Sequence, residues 1–444
     1  MARKSTRDQS GAVKPKGRAK PPENKIWKVA LAGFGTVGRS VAKILVERTS
    51  DPIRLTHVCN RNVARKKVDW LPGDVVWTDN IDDVLSSDVD IFVEVIGGLH
   101  PIEDWVRRAL ASGKSVVTAN KQLMAQCGPE LASLAREMNQ QIEFGASVAG
   151  GVPVISGLHQ GLAGDDLFKI YGILNGTCNY ILTQIESNGV PFTTALREAQ
   201  KLGFAEADPT DDIDGLDARA KLAILIRVGL RCNVAAGSIQ ARSISPIDAI
   251  DFEYANQLGC TIRQVSRAEL KDGVLFAAVQ PSLVQTNSPL ARVERSQNLV
   301  MATGTYGGET VFGGHGAGGH PTAVAVVSDI LAILHAKQSR ERRPDPAAGS
   351  ALEKSPAVTA DFTTRHYLRF LVKDRPGIIA TLATVLAQSG INIDSVLQKP
   401  GCSKAHLPFL ITLEECRDSL VDHALKQINA LDFLVQPCLH MPIL

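Results

Sequence analysis

Trp27-Lys28-Val29-Ala30-Leu31-Ala32, followed by Gly33-Phe34-Gly35-Thr36-Val37-Gly38, decides the fold of this 444-residue chain. The first six residues read as a buried strand, and a helical stretch from Thr36 to Arg48 follows the glycines. A G-x-G-x-x-G placed between a strand and a helix is a dinucleotide-binding signature. Gly33 permits the tight turn, Gly35 lets the backbone approach a pyrophosphate, and Gly38 allows close helix–strand packing. The helix N-terminus offers its free N–H groups to the phosphates. Gly33, Phe34, Gly35, Thr36, Val37 and Gly38 are therefore the candidate cofactor loop.

Outward from this loop, strand-like Ile53–Cys59, 89–96 and Ser115–Thr118 alternate with helical runs such as 102–112. Apolar strands alternating with helices indicate an α/β fold with a Rossmann-type, doubly wound parallel sheet over residues 26–149. The end of the second strand chooses between the nicotinamide cofactors. An NAD site places Asp or Glu there to hold the ribose hydroxyls. Here Cys59-Asn60-Arg61 follows Val58, with Arg65, Lys66 and Lys67 beyond it and no acid in reach. Arg61 suits a 2′-phosphate, which favours NADP and keeps NAD as the alternative.

Two further stretches carry chemistry. In Val116-Val117-Thr118-Ala119-Asn120-Lys121 a lysine immediately follows a strand, at the sheet end where open α/β folds bind ligands. Residues 201–221 gather Glu206, Asp208, Asp211, Asp212, Asp214 and Asp217 before Lys221. Asp217 and Lys221 are four apart, on one helical face. Carboxylates beside a lysine suit a zwitterionic amino-acid substrate, and burial or a second cation such as Lys121 would lower Lys221 toward useful proton transfer. The residues alone equally fit a solvated acidic loop with one i,i+4 ion pair.

The net charge of +2 conceals an uneven distribution. Residues 1–25 carry eight basic residues against two acids, leaving the rest at −4, and read as a basic disordered tail. That tail lacks an apolar run, and no stretch is expected to reach the roughly 18 apolar residues of a membrane span. The eight scattered cysteines have no zinc spacing and read as free thiols of a cytoplasmic protein. Cys178 has no sequence neighbour to act as its base, and His315 and His320 have no third ligand. A nucleotide-binding sensor whose basic arm contacts nucleic acid is the rival reading, disfavoured because a sensor needs no proton donor.

The phrases GFGTVG, EVIGG (94–98), VVTANK (116–121), SVAGGVPVI (147–155), GILNGTCNYIL (172–182), KLGFAEADPTDDIDGLDARAK (201–221) and GGHGAGGHPTA (313–323) occur in this order. Together they resemble homoserine dehydrogenase over residues 27–335. The resemblance implies NADP(H)-dependent interconversion of aspartate semialdehyde and homoserine by a homodimer or homotetramer, with an α+β catalytic and dimerisation domain at 150–336. It implies Lys221 as proton donor and acceptor with Lys121 assisting, and Glu206 and Asp217 as homoserine ligands supported by Asp212. Gly203 and the Gly316–Gly318 turn match cofactor-side contacts. A sodium ion on the carbonyls of Gly145, Val148, Gly150 and Val152 is also implied. Glu is usual at the first of these positions, so Gly145 is a departure from the pattern. No kinase-like region precedes the first strand, as expected of a monofunctional enzyme.

Residues 337–364 read as a linker. Beyond it, strand-like 367–372, a Lys373-Asp374-Arg375-Pro376-Gly377 turn, a helical run 378–389 and a strand starting at 390 resemble an ACT module (βαββαβ) over 365–444. The resemblance implies a small amino-acid effector, threonine in this setting, near Asp374, Gly377 and Asn392.

Overall fold

The computed structural model describes residues 25–339 and 355–444. The basic tail through residue 24 and linker residues 340–354 lie outside the described residues.

Strands β1 (Trp27–Ala32), β2 (Ile53–Cys59), β3 (Val76–Thr78), β4 (Ile91–Glu94), β5 (Ser115–Thr118) and β6 (Ile142–Glu143) form one sheet. Its order is β3-β2-β1-β4-β5-β6, with parallel pairing throughout. The order reverses between β1 and β4, the place where doubly wound sheets open a crevice. Burial on both faces explains the near-continuous apolar strands, since helices cover each side.

A second sheet runs β12-β11-β7-β9-β10-β17-β14-β16-β15. Here β7 is Leu167–Ile173, β8 Gln240–Ala241, β9 Cys260–Lys271 and β10 Val274–Gln285. Strands β11 (Gln297–Gly304), β12 (Gly308–His315) and β13 (Val358–Thr359) follow, and β8 and β13 pair with β10 off the main path. The last four, β14 (Thr363–Val372), β15 (Ile393–Gln398), β16 (Leu407–Arg417) and β17 (Leu439–Ile443), alternate with helices Ile378–Gln388 and Asp418–Ile428 as βαββαβ. The C-terminal module joins the middle sheet where Leu283 of β10 meets Ile443 of β17.

The helix Gly319–Ser339 departs from the sequence reading in two ways. It is 21 residues long and apolar enough to cross a membrane by length and composition, where no such stretch was expected. It packs instead on the nucleotide-binding sheet's own layer: Ala323, Val326, Val327, Ile330 and Ile333 share a cluster with Val41, Ala42 and Leu45 of helix Thr36–Glu47. The chain thus returns to its first domain after building the second.

Helix Lys121–Glu137 contains Pro129, which has no N–H to give the carbonyl four residues back. Arg227 reaches in from the middle domain, bonding the Ala125 carbonyl that Pro129 leaves open at 3.3 Å and the neighbouring Met124 carbonyl at 2.7 Å. Only glycine leaves room for it, because a Cβ on residue 128 would lie 2.4 Å from Arg227 Nη1. Burial lowers the guanidinium to about 10. This clamp fixes helix Lys121–Glu137 against Leu216–Leu225 and its π-helical extension Ile226–Leu230.

The C-terminal module is tied down by a second buried group. Asp251, fully buried on helix Ala249–Gln257, accepts from Arg369 Nε at 2.6 Å and Tyr367 Oη at 2.7 Å, both on β14. Removing the carboxylate strands a buried guanidinium. Asp251→Ala is expected to cost about 3–5 kcal/mol, read as a lower midpoint in urea unfolding, and an unchanged midpoint would contradict the assignment.

Candidate active site

Glu94, at the end of β4, is fully buried and organises the cleft floor. Its Oε1 accepts the N–H groups of Ile96 and Gly97 at 2.7 and 2.9 Å, and its Oε2 accepts Thr118 Oγ1 at 2.6 Å. Asn120 caps the next helix through Leu123 N–H at 3.1 Å and donates to the Gly98 carbonyl at 2.5 Å. Lys121 is thereby placed on the first turn, facing the middle domain.

From the other side comes helix Leu216–Leu225, carrying Asp217 and Lys221. Lys121 Nζ donates to Asp217 Oδ1, and Lys221 Nζ donates to Asp217 Oδ2 at 2.8 Å. Lys221 Nζ also reaches the Leu174 carbonyl at 2.9 Å, which accepts Asn298 Nδ2 at 3.0 Å as well. Asn175 closes the group, donating to Asp212 Oδ1 at 2.6 Å and Asp217 Oδ2 at 2.8 Å. Burial would push the Asp217 carboxyl up, but Lys221 and Lys121 outweigh it and hold the group well below the usual carboxylate range. Burial likewise pushes Lys121 down, yet Asp217, Asp212 and Asp211 leave it raised. The second cation expected beside Lys221 is present, but the two lysines meet through a shared carboxylate. Asp212 is raised by burial, with Asn175 opposing.

Asn175 was not singled out in the sequence. As N-cap of helix Gly176–Asn188 it accepts Cys178 N–H at 2.8 Å, and the Asn-Gly-Thr start signals that cap. Nothing local indicated which carboxylates its amide would hold. Cys178 is buried, its thiol raised well above normal by burial and lying against the Asp212 carbonyl at 3.0 Å, which suits packing and not nucleophilic attack. Glu206 is exposed after helix Phe192–Lys201, and its side chain makes no hydrogen bond or ion pair among the described residues. Gly203 is also exposed there. The structure brings neither to the lysine cluster.

The Gly33–Gly38 loop fits a dinucleotide. A Cβ on residue 38 would lie 2.1 Å from the Gly33 carbonyl oxygen, whereas residue 35 faces open space. The helix N-terminus has no side-chain cap and no acid in its first turn, so its N–H groups stay available to phosphate. Asn60 Oδ1 accepts Phe34 N–H at 3.1 Å, and Arg61 is exposed beside that contact. The Gly316–Gly318 turn reaches this helix through Gly319, whose position lies 2.9 Å from Ser40 Oγ when given a Cβ.

The same turn touches the proposed cation loop: a Cβ on Gly150 would lie 2.5 Å from the Gly316 carbonyl oxygen. Residues 145–152 are turned by positive φ at Ala149 and Gly150. At Gly145 the backbone N–H donates to Asp329 Oδ2 at 2.8 Å, and a Cβ there would lie 2.8 Å from Asp329 Oδ1. A carboxylate from helix Gly319–Ser339 therefore stands against Gly145. Val148 and Val152 are buried in the same loop.

In the C-terminal module, Asp374 and Gly377 occupy the turn between β14 and helix Ile378–Gln388. Asn392 follows that helix at the opposite end, about 16 Å away by the rise of its eleven residues. Within one chain the three effector candidates do not converge. Asn392 instead donates to Glu414 at 3.1 Å.

A dinucleotide cleft closed by two lysines on one buried carboxylate defines an NAD(P)-dependent oxidoreductase acting on a CH–OH group. Family models for homoserine dehydrogenase match residues 153–331, for its NAD-binding domain 33–145, and for the ACT domain 366–433. The homoserine dehydrogenase of Bacillus subtilis is 38% identical over 384 residues, covering 85% of this chain and 88% of that protein. A homoserine dehydrogenase structure from Thiobacillus denitrificans superposes with a TM-score of 0.85 at 32% identity, covering 94% and 98% of the two chains. A hyperthermophilic archaeal homoserine dehydrogenase in complex with NADPH matches 70% of this chain and 98% of its own, with a TM-score of 0.60 and 28% identity. The chain belongs to the homoserine dehydrogenase family.

Asp217 gathers both lysines at one point of the cleft. Asp217→Asn is expected to lower kcat/KM for homoserine by about 10- to 100-fold, the loss of hydrogen bonds to a charged group. An unchanged kcat/KM would show that this carboxylate does not position the pair.

Proposed function

We propose that the enzyme reversibly reduces L-aspartate 4-semialdehyde to L-homoserine with NADPH in preference to NADH. Convergence of Lys121 and Lys221 on Asp217 carries this reading, because reduction of an aldehyde requires a proton source at the carbonyl oxygen. Bound NADPH supplies the hydride. Lys221, held between Asp217 and the Leu174 carbonyl, gives its ammonium proton to the developing alkoxide. Lys121 adds positive charge at the same oxygen and lies on the nucleotide-binding side. Asp217, with Glu206 and Asp212, accepts the substrate ammonium, and substrate entry rearranges the Lys121–Asp217 contact. Glu206 comes to this role from the family pattern and is exposed in the structure. Arg61 receives the 2′-phosphate, and backbone at Gly203 and the Gly316–Gly318 turn borders the cofactor. Carbonyls of Gly145, Val148, Gly150 and Val152 hold a sodium ion at the junction.

The same reading places the reaction in threonine, methionine and isoleucine biosynthesis in the cytoplasm, in a homodimer or homotetramer formed through the middle domain. Threonine acts through the ACT module as feedback effector. Since Asp374 and Asn392 flank opposite ends of helix Ile378–Gln388, an effector touching both would bridge two modules.

One assay tests the chemistry: NADPH oxidation on addition of aspartate semialdehyde. Lys221→Ala is expected to lower kcat by about 10²- to 10⁴-fold. No turnover by the wild type, or full rate in the variant, would reject the mechanism. Threonine added to the wild-type assay is expected to lower the rate or raise KM, and no change in either would remove the feedback reading.

A further inference from the structure

Three chemistry-bearing side chains lie far from the catalytic lysines, on the face of the ACT module turned toward the middle domain. His366 is on β14, His440 on β17, and Asp418 opens helix Asp418–Ile428. His366 is 0% exposed, Asp418 4% and His440 9%. They are the one group of His, Cys, Asp and Glu among the described residues arranged as a ligand set.

The distances suit a first-row metal ion. His366 Nδ1 and His440 Nε2 are 3.0 Å apart, and Asp418 Oδ1 is 3.7 Å from each. A point about 2 Å from all three atoms lies within that triangle, the length of a Zn–N or Zn–O bond. Asp418 Oδ1 is buried with no hydrogen-bond partner, an expensive arrangement for a carboxylate oxygen unless a cation faces it.

The atoms behind the ligands are also in place. His366 Nε2–H donates to the Cys416 carbonyl at 3.1 Å, which leaves Nδ1 as the lone-pair nitrogen. His440 Nδ1 lies 3.0 Å from Arg242 Nη1 and 3.6 Å from Asp422 Oδ1. Without metal, Arg242 donates to Nδ1 and His440 Nε2–H donates to His366. With Nε2 on a metal, the ring proton moves to Nδ1 and faces Asp422, the carboxylate–histidine–metal relay seen behind many metal ligands. Arg242 remains held by Asp422 at 3.2 and 3.3 Å.

We propose that His366, Asp418 and His440 form a binding site for Zn²⁺ or a similar late first-row divalent ion, with water as fourth ligand. Imidazole and carboxylate donors select such an ion over the alkali cation assigned to the carbonyl loop. His440 also lines a cleft of about 650 Å³ between the ACT module and the middle domain, which gives the ion a way in. Arg242 directly follows β8 of the middle domain, and its N–H bonds the Val279 carbonyl at 2.9 Å. Exchange of the Arg242–His440 contact for His440–Asp422 therefore makes occupancy felt across the module junction.

The test is titration of Zn²⁺ into chelator-treated full-length protein, under reducing conditions, in competition with a chromogenic zinc chelator. The expected result is one tightly held ion per chain, with affinity reduced about tenfold or more in Asp418→Asn and His440→Gln. Asp422→Asn should weaken it about 10- to 100-fold through the relay alone. No stoichiometric binding by the wild type, or undiminished affinity in both ligand variants, would overturn the proposal. Should the variants fail to fold, anomalous diffraction from zinc-loaded wild-type crystals decides. A peak among the three side chains supports the site, and a peak only at exposed histidines or thiols refutes it.

Discussion

The Asp217 carboxylate is the constraint on which the arrangement of the active site depends. Two lysines from different domains and the Asn175 amide share its two oxygens in a buried setting. A lone buried carboxylate would be protonated or expelled, and two unpaired ammonium groups would repel. Together they leave the buried carboxylate with a partner on each oxygen, while Lys121 keeps part of its surface toward the cleft. Docking of the nucleotide-binding domain on the middle domain is thus written into the catalytic group itself. The Arg227 clamp on helix Lys121–Glu137 holds the backbone so that this electrostatic closure needs no adjustment.

Local patterns carried the fold well. Strands β1 and β2 occupy the residues that their apolar runs mark, and in the ACT module the runs 367–372 and 378–389 fall on β14 and helix Ile378–Gln388. The G-x-G-x-x-G loop was legible because each of its glycines has a local steric reason. The site was legible only in halves. Lys121 and Asp217 are 96 residues apart, and no periodicity relates them; family resemblance did. Asn175, Arg227 and Asp329 stayed silent because their partners (carboxylates, helix carbonyls and a backbone N–H far along the chain) come within reach only after folding. Glu206 and Gly203 carry the family pattern but sit at the surface, and Asn392 was grouped with Asp374 by motif although a whole helix separates them. Within one chain a helix stands between the effector candidates, and the sequence was silent where domains meet.

The ACT module is less an appendage than the βαββαβ pattern suggests. Its sheet continues that of the middle domain through β17, and its first strand sends Tyr367 and Arg369 into the buried carboxylate of helix Ala249–Gln257. Among the described residues, the module meets the middle domain through paired backbone and a buried ion pair.

The return of helix Gly319–Ser339 to the first domain has a mechanical result. The chain leaves the nucleotide-binding unit near residues 145–152 and re-enters it near 315–319, and these two crossings touch at Gly150 and Gly316. Two side-by-side crossings act as a double stitch: twisting one domain on the other, or sliding them apart, would stretch one strand of chain against its neighbour. The Arg227 bonds to helix Lys121–Glu137 add a third point of attachment across the same junction. Three separated fastenings define a plane, so the register of Lys121 against Lys221 and Asp217 is set by the covalent path as well as by charge.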